Sequence, residues 1–150
     1  MPPSRGSRRP RGQSRPNLSR LDLREKNYYG DIVYADIERS VRSEAASLDF
    51  EAEIRQSNDE SEIISWLHEA ADKKIPVIFN PAAFTHYSYA IRDAVVMLKA
   101  PCIEVHLSNP LSREEFRHTS VISGVVNGTI AGFGLDSYRL ALQALKQLVK

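Results

Sequence analysis

Imidazole, carboxylate, amide and guanidinium side chains concentrate in residues 80–118 of the sequence. Two short apolar runs, residues 76–79 and 102–105, each end at a polar cluster. Such runs are typical of buried parallel strands, and ligands of open α/β sheets bind beyond the carboxyl ends of these strands. We therefore expect one crevice to be lined by five polar side chains: Asn80, His86, His106, Ser108 and Arg117. Its chemistry would be hydrogen bonding and acid–base catalysis, since the sequence contains no glycine-rich phosphate loop.

Glu104 and His106 are the strongest catalytic candidates, because residues two apart on a strand share one face. A carboxylate next to an imidazole fixes its tautomer and raises its basicity, which suits a general acid. The spacing alone is equally consistent with a histidine whose hydrogen bonds are simply satisfied at a strand end. A metal site with His86, Glu104 and His106 as ligands is disfavoured, since no HExxH or comparable spacing occurs.

Three further positions carry reactive side chains with less specific context. Ser108 lies outside any GxSxG elbow, so it is better placed to hold a carboxylate than to act as a nucleophile. Arg24 and Tyr29 share a polar loop, and a guanidinium beside a phenol lowers the pKa of the phenol by favouring the phenolate. Taken alone, the same pair is an ordinary surface arginine and a half-buried tyrosine.

The composition predicts one globular domain. The chain has 150 residues and an apolar fraction of 42%, enough for a real core. No apolar run is long enough to span a membrane. The single cysteine, Cys102, excludes an internal disulfide and fits a reducing, cytoplasmic compartment. It lies within an apolar strand, so we interpret it as a core residue.

The N-terminal segment, residues 1–15, has five arginines and no acidic residue. We predict a basic disordered tail there. A nucleic-acid-binding arm and a transit peptide are the alternatives for such a composition. The three prolines and two glycines of this segment argue against a stable helix or a central strand.

Alternating periodicities predict a doubly wound parallel sheet. Apolar residues recur at helical spacing in four segments. These are residues 32–48, a segment that ends at about residue 73, residues 85–98 and residues 136–149. We expect a capping box of Ser57 and Glu60 before the second helix, and Thr85 as the N-cap of the third. Tyr87 would face inward on that helix, and Asp93 would lie on a solvent or subunit face. The predicted strands are residues 50–54, 76–79, 102–105 and 129–133.

Several blocks of the sequence resemble the type II 3-dehydroquinate dehydratases. They are residues 80–88, 91–94, 103–109 and 113–118, a QSN segment at 56–58, a WLH segment at 66–68, and an N-terminal loop at 16–30. The blocks follow the order and spacing of the family from residue 16 onward. The resemblance implies one domain over residues 16–150, with residues 16–30 as an active-site lid loop. The implied fold is a flavodoxin-like doubly wound parallel sheet with strand order 2-1-3-4-5.

The resemblance also implies a reaction, the cofactor-free and metal-free elimination of water from 3-dehydroquinate to 3-dehydroshikimate through an enolate. This step serves the shikimate pathway of aromatic amino acid biosynthesis or quinate catabolism. The implied catalytic residues are Tyr29 as the tyrosinate base, Arg24 keeping it ionised, Asn17 holding the water that stabilises the enolate, His106 as the acid, and Glu104 orienting it. The implied substrate-binding residues are Asn80, His86, Asp93, Leu107, Ser108 and Arg117. Asp93 matches a residue that reaches a neighbouring subunit, in trimers grouped into a homododecamer.

One departure from the family concerns the first strand. The family enters its lid loop from an apolar strand, whereas residues 13–15 here are Gln-Ser-Arg. We therefore predict that the first strand is missing or altered, and that residues 1–15 are not the natural front of the chain. A missing central strand leaves buried backbone groups unpaired, at about 1–3 kcal/mol each.

Two other functions stay open at this point. A non-catalytic member of the same fold would act as a binding or assembly protein, because its N-terminal strand and lid are altered. A nucleic-acid-associated protein would use the basic arm, which we consider the weaker alternative. Salt-sensitive binding that disappears when residues 1–15 are removed would distinguish the latter.

Overall fold

The structure, a computed structural model, describes residues 11–14 and 34–149. Within these residues the chain forms one five-stranded sheet in which every neighbouring pair is parallel. The strands are β1 (Arg11–Ser14), β2 (Glu53–Gln56), β3 (Val77–Phe79), β4 (Cys102–His106) and β5 (Gly128–Ala131). Their order across the sheet is β2-β1-β3-β4-β5.

Helices cover both faces of this sheet. They are α1 (Tyr34–Ser47), α2 (Glu60–Lys73), α3 (Tyr89–Val96) and α4 (Asp136–Leu148). The helices α1 and α4 pack together over one apolar cluster, and α2 and α3 pack over a second. Parallel strands alternating with helices confirm the predicted α/β class. In the described ranges, no helix has the length and apolar character needed to cross a membrane.

The strand β1 lies inside the sheet, between β2 and β3, so the prediction of a missing first strand is not confirmed. Arg11 pairs with Glu53 of β2 on one side and with Val77 of β3 on the other. These four residues belong to the segment 1–15 that the composition assigns to a disordered tail. The ladder of a parallel sheet joins backbone N–H and C=O groups, which every non-proline residue carries. The backbone groups of β2 and β3 that face each other need a strand between them for hydrogen bonding. This requirement does not depend on apolar side chains in that strand.

Two helices match their predicted apolar stripes. The first, α1, buries Ile37, Val41 and Ala45, and α4 buries Tyr138 and Leu142. Residues at i, i+4 and i+8 lie on one side of a helix, so these side chains reach the same cluster. The predictions drawn from helical spacing are confirmed for both elements.

The start of α2 differs from the predicted capping box. Asp59 is the N-cap, and its side chain accepts a hydrogen bond from the Ser61 backbone N–H at 2.9 Å. Ser57 instead accepts from the Asp59 backbone N–H, also at 2.9 Å. The prediction of a Ser57–Glu60 box is wrong because Asp59, another strong capping residue, lies closer to the first helical turn.

The start of α3 also differs, by three residues. Ser88 is the N-cap and accepts from the Ile91 backbone N–H at 3.1 Å. Thr85 lies in a preceding 3₁₀ turn, Ala82–His86. Tyr87 is 57% exposed, so the prediction that it faces inward is wrong. The Thr85 hydroxyl is unavailable for capping because it bonds to a distant carboxylate on β4.

We predict that Cys102 resists alkylation in the folded protein. Its side chain is buried on β4, and this burial raises the pKa of the thiol to about 12, with the negative charge of Glu104 adding to the shift. The thiolate is the reactive species. Iodoacetamide at pH 8 should therefore leave the native chain unmodified, and intact-mass analysis should show one adduct only after unfolding in urea. Native labelling as fast as in the unfolded chain would contradict this.

Candidate active site

The carboxyl ends of β3 and β4 adjoin one another, as the sequence predicts for a site. Phe79 of β3 pairs with Glu104 of β4, so Asn80, which follows β3, lies near His106, the last residue of β4. Side chains alternate between the two faces of β4. Ile103 and Val105 join the cluster under α1 and α4, whereas Cys102 joins the cluster under α2 and α3. Glu104 and His106 therefore point toward the α2 and α3 side of the sheet.

Glu104 and His106 form a direct hydrogen-bonded pair. The His106 Nε2 atom lies 2.6 Å from Glu104 Oε2. The Glu104 side chain is completely buried, and only 11% of the His106 side chain is exposed. The predicted proximity of the two side chains is present, with the imidazole between the buried carboxylate and the crevice.

The Glu104 carboxylate is stabilised in its ionised form. Burial raises the pKa of Glu104. The hydrogen bond and charge of His106 and the hydroxyls of Ser123 and Thr85 lower it by more, so the pKa lies below its usual value. A carboxylate only accepts hydrogen bonds, so His106 Nε2 must carry a proton. This arrangement fixes the imidazole tautomer and leaves Nδ1 as the second ring nitrogen for proton transfer.

Two hydroxyl groups complete the environment of Glu104, and neither was predicted to belong to the site. Thr85 Oγ1 lies 2.6 Å from Glu104 Oε2, and Ser123 Oγ lies 2.5 Å from Oε1. Each is 19 residues from Glu104 in the sequence. The only sequence signal for them is indirect: a glutamate on the inward face of an apolar strand requires donors.

Asn80 has an unsatisfied donor. The residue is completely buried, and its Oδ1 accepts from the Ala82 backbone N–H at 3.0 Å. Its Nδ2 atom has no hydrogen-bond partner among the described residues. A buried donor without a partner costs about 1–3 kcal/mol, which a ligand oxygen would recover. This geometry suits the binding of a substrate hydroxyl.

His86 and Arg117 are brought together by one aromatic ring. The His86 ring meets the Phe116 ring edge-on at 5.9 Å between centroids, and the Arg117 guanidinium lies 4.6 Å from the same ring. His86 Nδ1 lies 2.7 Å from the Thr119 carbonyl oxygen and therefore donates to it. In a neutral imidazole, Nε2 is then an acceptor. Arg117 Nε donates to Glu114 at 2.5 Å, which helps hold the guanidinium in place.

The remaining predicted binding residues occupy different surroundings. Ser108 follows β4, and its Oγ accepts from Arg113 Nη1 at 3.4 Å. Leu107 is buried, with its carbonyl accepting from the Gly134 backbone N–H at 2.9 Å. Asp93 is exposed on α3, on the solvent or subunit face that the sequence predicts.

The predicted base and its helpers, Tyr29, Arg24 and Asn17, lie outside the described residues. Among the residues described, no group of three or more His, Cys, Asp or Glu side chains has an arrangement that could hold a metal ion. The His86 nitrogen discussed above points to a backbone carbonyl instead of toward Glu104 and His106.

Comparison with known proteins identifies the family. The family model for class II dehydroquinases matches residues 14–146. A 3-dehydroquinate dehydratase from Caldicellulosiruptor bescii is 51% identical over 135 residues, which cover 89% of this chain and 93% of that protein. One from Salinispora tropica is 52% identical over 130 residues, covering 87% and 91%. The chain therefore belongs to the class II dehydroquinase family, as the sequence motifs predict.

A solved structure supports the same assignment at the level of the fold. The type II dehydroquinase from Propionibacterium acnes superposes with a TM-score of 0.91 at 47% sequence identity, covering 94% of this chain and 97% of that one. A type II dehydroquinase from Butyrivibrio crossotus gives a TM-score of 0.89 at 42% identity.

We predict that Glu104→Gln makes the free energy of unfolding less sensitive to pH in the acidic range. The folded-state pKa of Glu104 is depressed, so this carboxylate contributes stability above its unfolded pKa, near pH 4, and loses it as pH falls through the folded value. The variant should lose about 1.5–3 kcal/mol of unfolding free energy at pH 7. Urea titrations should show this difference from wild type shrinking below pH 4. Glu62→Gln, at an exposed position on α2, is the control; a constant difference for Glu104→Gln would contradict the prediction.

Proposed function

We propose that this chain catalyses the elimination of water from 3-dehydroquinate to form 3-dehydroshikimate. The observation that carries the proposal is the buried Glu104–His106 pair at the end of β4, in a chain about half identical to proteins named for this activity. The chain is thus a type II 3-dehydroquinate dehydratase, a hydro-lyase. The same similarity disfavours the non-catalytic alternative.

His106 serves as the acid in this proposal. A base removes the proton beside the ketone, and the C–H electron pair becomes an enolate. The enolate then expels the neighbouring hydroxyl, which takes a proton from the imidazolium of His106 and leaves as water. The C–O bond breaks as the conjugated double bond forms, so no cofactor is required. Glu104 holds the imidazole in place and stabilises its charged form through the 2.6 Å hydrogen bond.

The substrate's polar groups would meet hydrogen-bonding groups from separate segments of the chain. The buried Asn80 Nδ2 suits one hydroxyl as a donor, and the His86 Nε2 suits a second as an acceptor. Arg117, held against Phe116, suits a third polar contact. Backbone N–H of Leu107 and the Ser108 hydroxyl would hold the carboxylate, and the nearby Arg113 guanidinium supports Ser108 there.

The base in this proposal is Tyr29, kept ionised by Arg24, with Asn17 holding the water that stabilises the enolate. These roles rest on the family resemblance. Residues 16–30 would form the lid loop of one domain, which comprises residues 16–150 together with the preceding strand β1. The finer assignment, a flavodoxin-like sheet of order 2-1-3-4-5, agrees with the position of β1 between β2 and β3. We also propose a cytoplasmic location, in keeping with the free thiol of Cys102.

We predict that purified protein converts 3-dehydroquinate into a product with the ultraviolet absorbance of a conjugated enone. His106→Asn should reduce turnover by about 10²–10⁴-fold, the usual contribution of a general acid. Tyr29→Phe should abolish it, because the base is removed. His68→Asn, at an exposed position on α2, is the matched control and should retain full turnover.

Two outcomes would contradict this function. One is a folded wild-type chain without turnover, which would favour a binding or assembly protein. The other is a substrate-dependent adduct on borohydride treatment, which would indicate a Schiff-base lysine in place of the tyrosinate.

We further propose that the chain assembles in trimers, grouped into a dodecamer, and that Asp93 completes the substrate site of a neighbouring subunit. Its exposed position on α3 leaves the carboxylate accessible to another subunit. Asp93→Ala and His106→Asn should each be inactive alone. Co-expressed as mixed oligomers, they should regain activity, because some sites then combine an intact His106 with an intact Asp93. Verified mixed oligomers that stay inactive would overturn the shared site.

A further inference from the structure

The Glu104 carboxylate is enclosed by hydroxyl groups from two segments outside β4. Thr85 comes from the 3₁₀ turn Ala82–His86, and Ser120 and Ser123 come from the segment before β5. Thr85 Oγ1 bonds to Oε2 and Ser123 Oγ to Oε1, so each carboxylate oxygen receives one hydroxyl. Ser120 Oγ lies 2.5 Å from Thr85 Oγ1 and does not contact the carboxylate itself.

The direction of every bond in this group follows from its proton inventory. A hydroxyl has one proton to donate, and a carboxylate has none. Thr85 must therefore donate to Glu104. Ser120 Oγ already accepts from the backbone N–H groups of Ile122 and Ser123, at 3.0 and 2.9 Å. Its own proton is thus left for Thr85 Oγ1.

The two segments are also tied to each other. The Val121 backbone N–H donates to the Thr85 carbonyl at 2.7 Å, and Arg92 Nη1 donates to the Val121 carbonyl at 2.9 Å. His86 Nδ1 donates to Thr119 nearby. These bonds hold the two hydroxyl-bearing segments in fixed positions relative to one another, which favours little reorganisation when the charge at His106 changes.

We propose that Thr85, Ser120 and Ser123 are positioning residues for catalysis, acting through Glu104 on His106. Thr85 and Ser123 each hold one oxygen of the carboxylate, and Ser120 polarises Thr85. The carboxylate is thereby kept charged and aimed at the imidazole through the proton transfer. This inference rests on the proposed function, in which His106 is the acid.

The groups that bond to Glu104 from the packed segments are hydroxyls, and the charged and titratable side chains nearby have other partners. His106 and Cys102 lie on the same strand face as Glu104. On the packed segments, His86 and Arg92 bond to backbone carbonyls. Within residues 11–14 and 34–149, the bonds to Glu104 from outside β4 therefore come from the neutral hydroxyls of Thr85 and Ser123.

The test compares Thr85→Val, which keeps the shape and removes the hydroxyl, with Thr85→Ser, which keeps the hydroxyl. Thr85→Val should lower kcat by about tenfold to a hundredfold, the usual effect of losing a hydrogen bond to a charged group. KM should stay within about twofold, because the Thr85 hydroxyl is buried and its partners among the described residues are Glu104 and Ser120. The acid limb of the kcat profile should move up by about one pH unit, since Glu104 protonates more readily. Thr85→Ser should restore both properties.

Ser123→Ala provides a second route to the same carboxylate, in case Thr85→Val fails to fold. It should likewise lower kcat and move the acid limb. Ser120→Ala should also lower kcat, because it removes the donor to Thr85 Oγ1 and the acceptor of the Ile122 and Ser123 backbone N–H groups. Ser65→Ala removes an exposed hydroxyl on α2 and is the matched control.

The readouts separate this inference from the proposed function. Inactive wild-type protein would contradict the function itself. Active wild type with folded Thr85→Val and Ser123→Ala variants of unchanged kcat and unchanged acid limb would overturn the inference alone. A readout independent of turnover is the ¹⁵N spectrum of the His106 ring, assigned with His106→Asn. The neutral tautomer that carries its proton on Nε2 should lose population relative to the Nδ1-protonated tautomer at mildly acidic pH in Thr85→Val, and not in Thr85→Ser.

Discussion

A buried carboxylate needs hydrogen-bond donors, and the site is built around this requirement at Glu104. Moving a charged carboxylate out of water costs far more than any single hydrogen bond returns. Glu104 has no exposed surface, so its bonds to His106, Thr85 and Ser123 must replace its hydration. Three separate segments therefore have to meet at the end of β4. The histidine held by this arrangement is the group through which the chemistry is proposed to pass.

The parallel sheet makes such an arrangement possible. A strand covered by helices on both faces is buried along its length, so a polar side chain on it is desolvated. Alternation sends Ile103 and Val105 into one core and directs Glu104 and His106 to the other side. The chain leaves β3 and β4 at the same edge, which brings Asn80 beside the end of β4. The 3₁₀ turn that follows Asn80 then carries both Thr85 and His86 to the crevice.

Sequence patterns predicted well what depends on neighbours along the chain. The apolar stripes of α1 and α4 are local periodicities, and both reach the core as expected. Capping was predicted less well because several residues compete for one helix end. Asp59 replaces Ser57 at the start of α2, and Ser88 replaces Thr85 at the start of α3. In the second case a partner 19 residues away claims the hydroxyl, and spacing gives no sign of it.

The sequence alone determined the family, the α/β class and the Glu104–His106 pair, since motifs and a period of two are local properties that a chain displays before it folds. The tertiary structure decided what surrounds the pair. Ser120 and Ser123 are ordinary polar residues until β4 and the segment before β5 come together. The four residues of β1 lack the pattern of a central strand, yet they lie between β2 and β3. Backbone hydrogen bonding is the reason, because it depends on which edges need a partner and hardly at all on side-chain pattern.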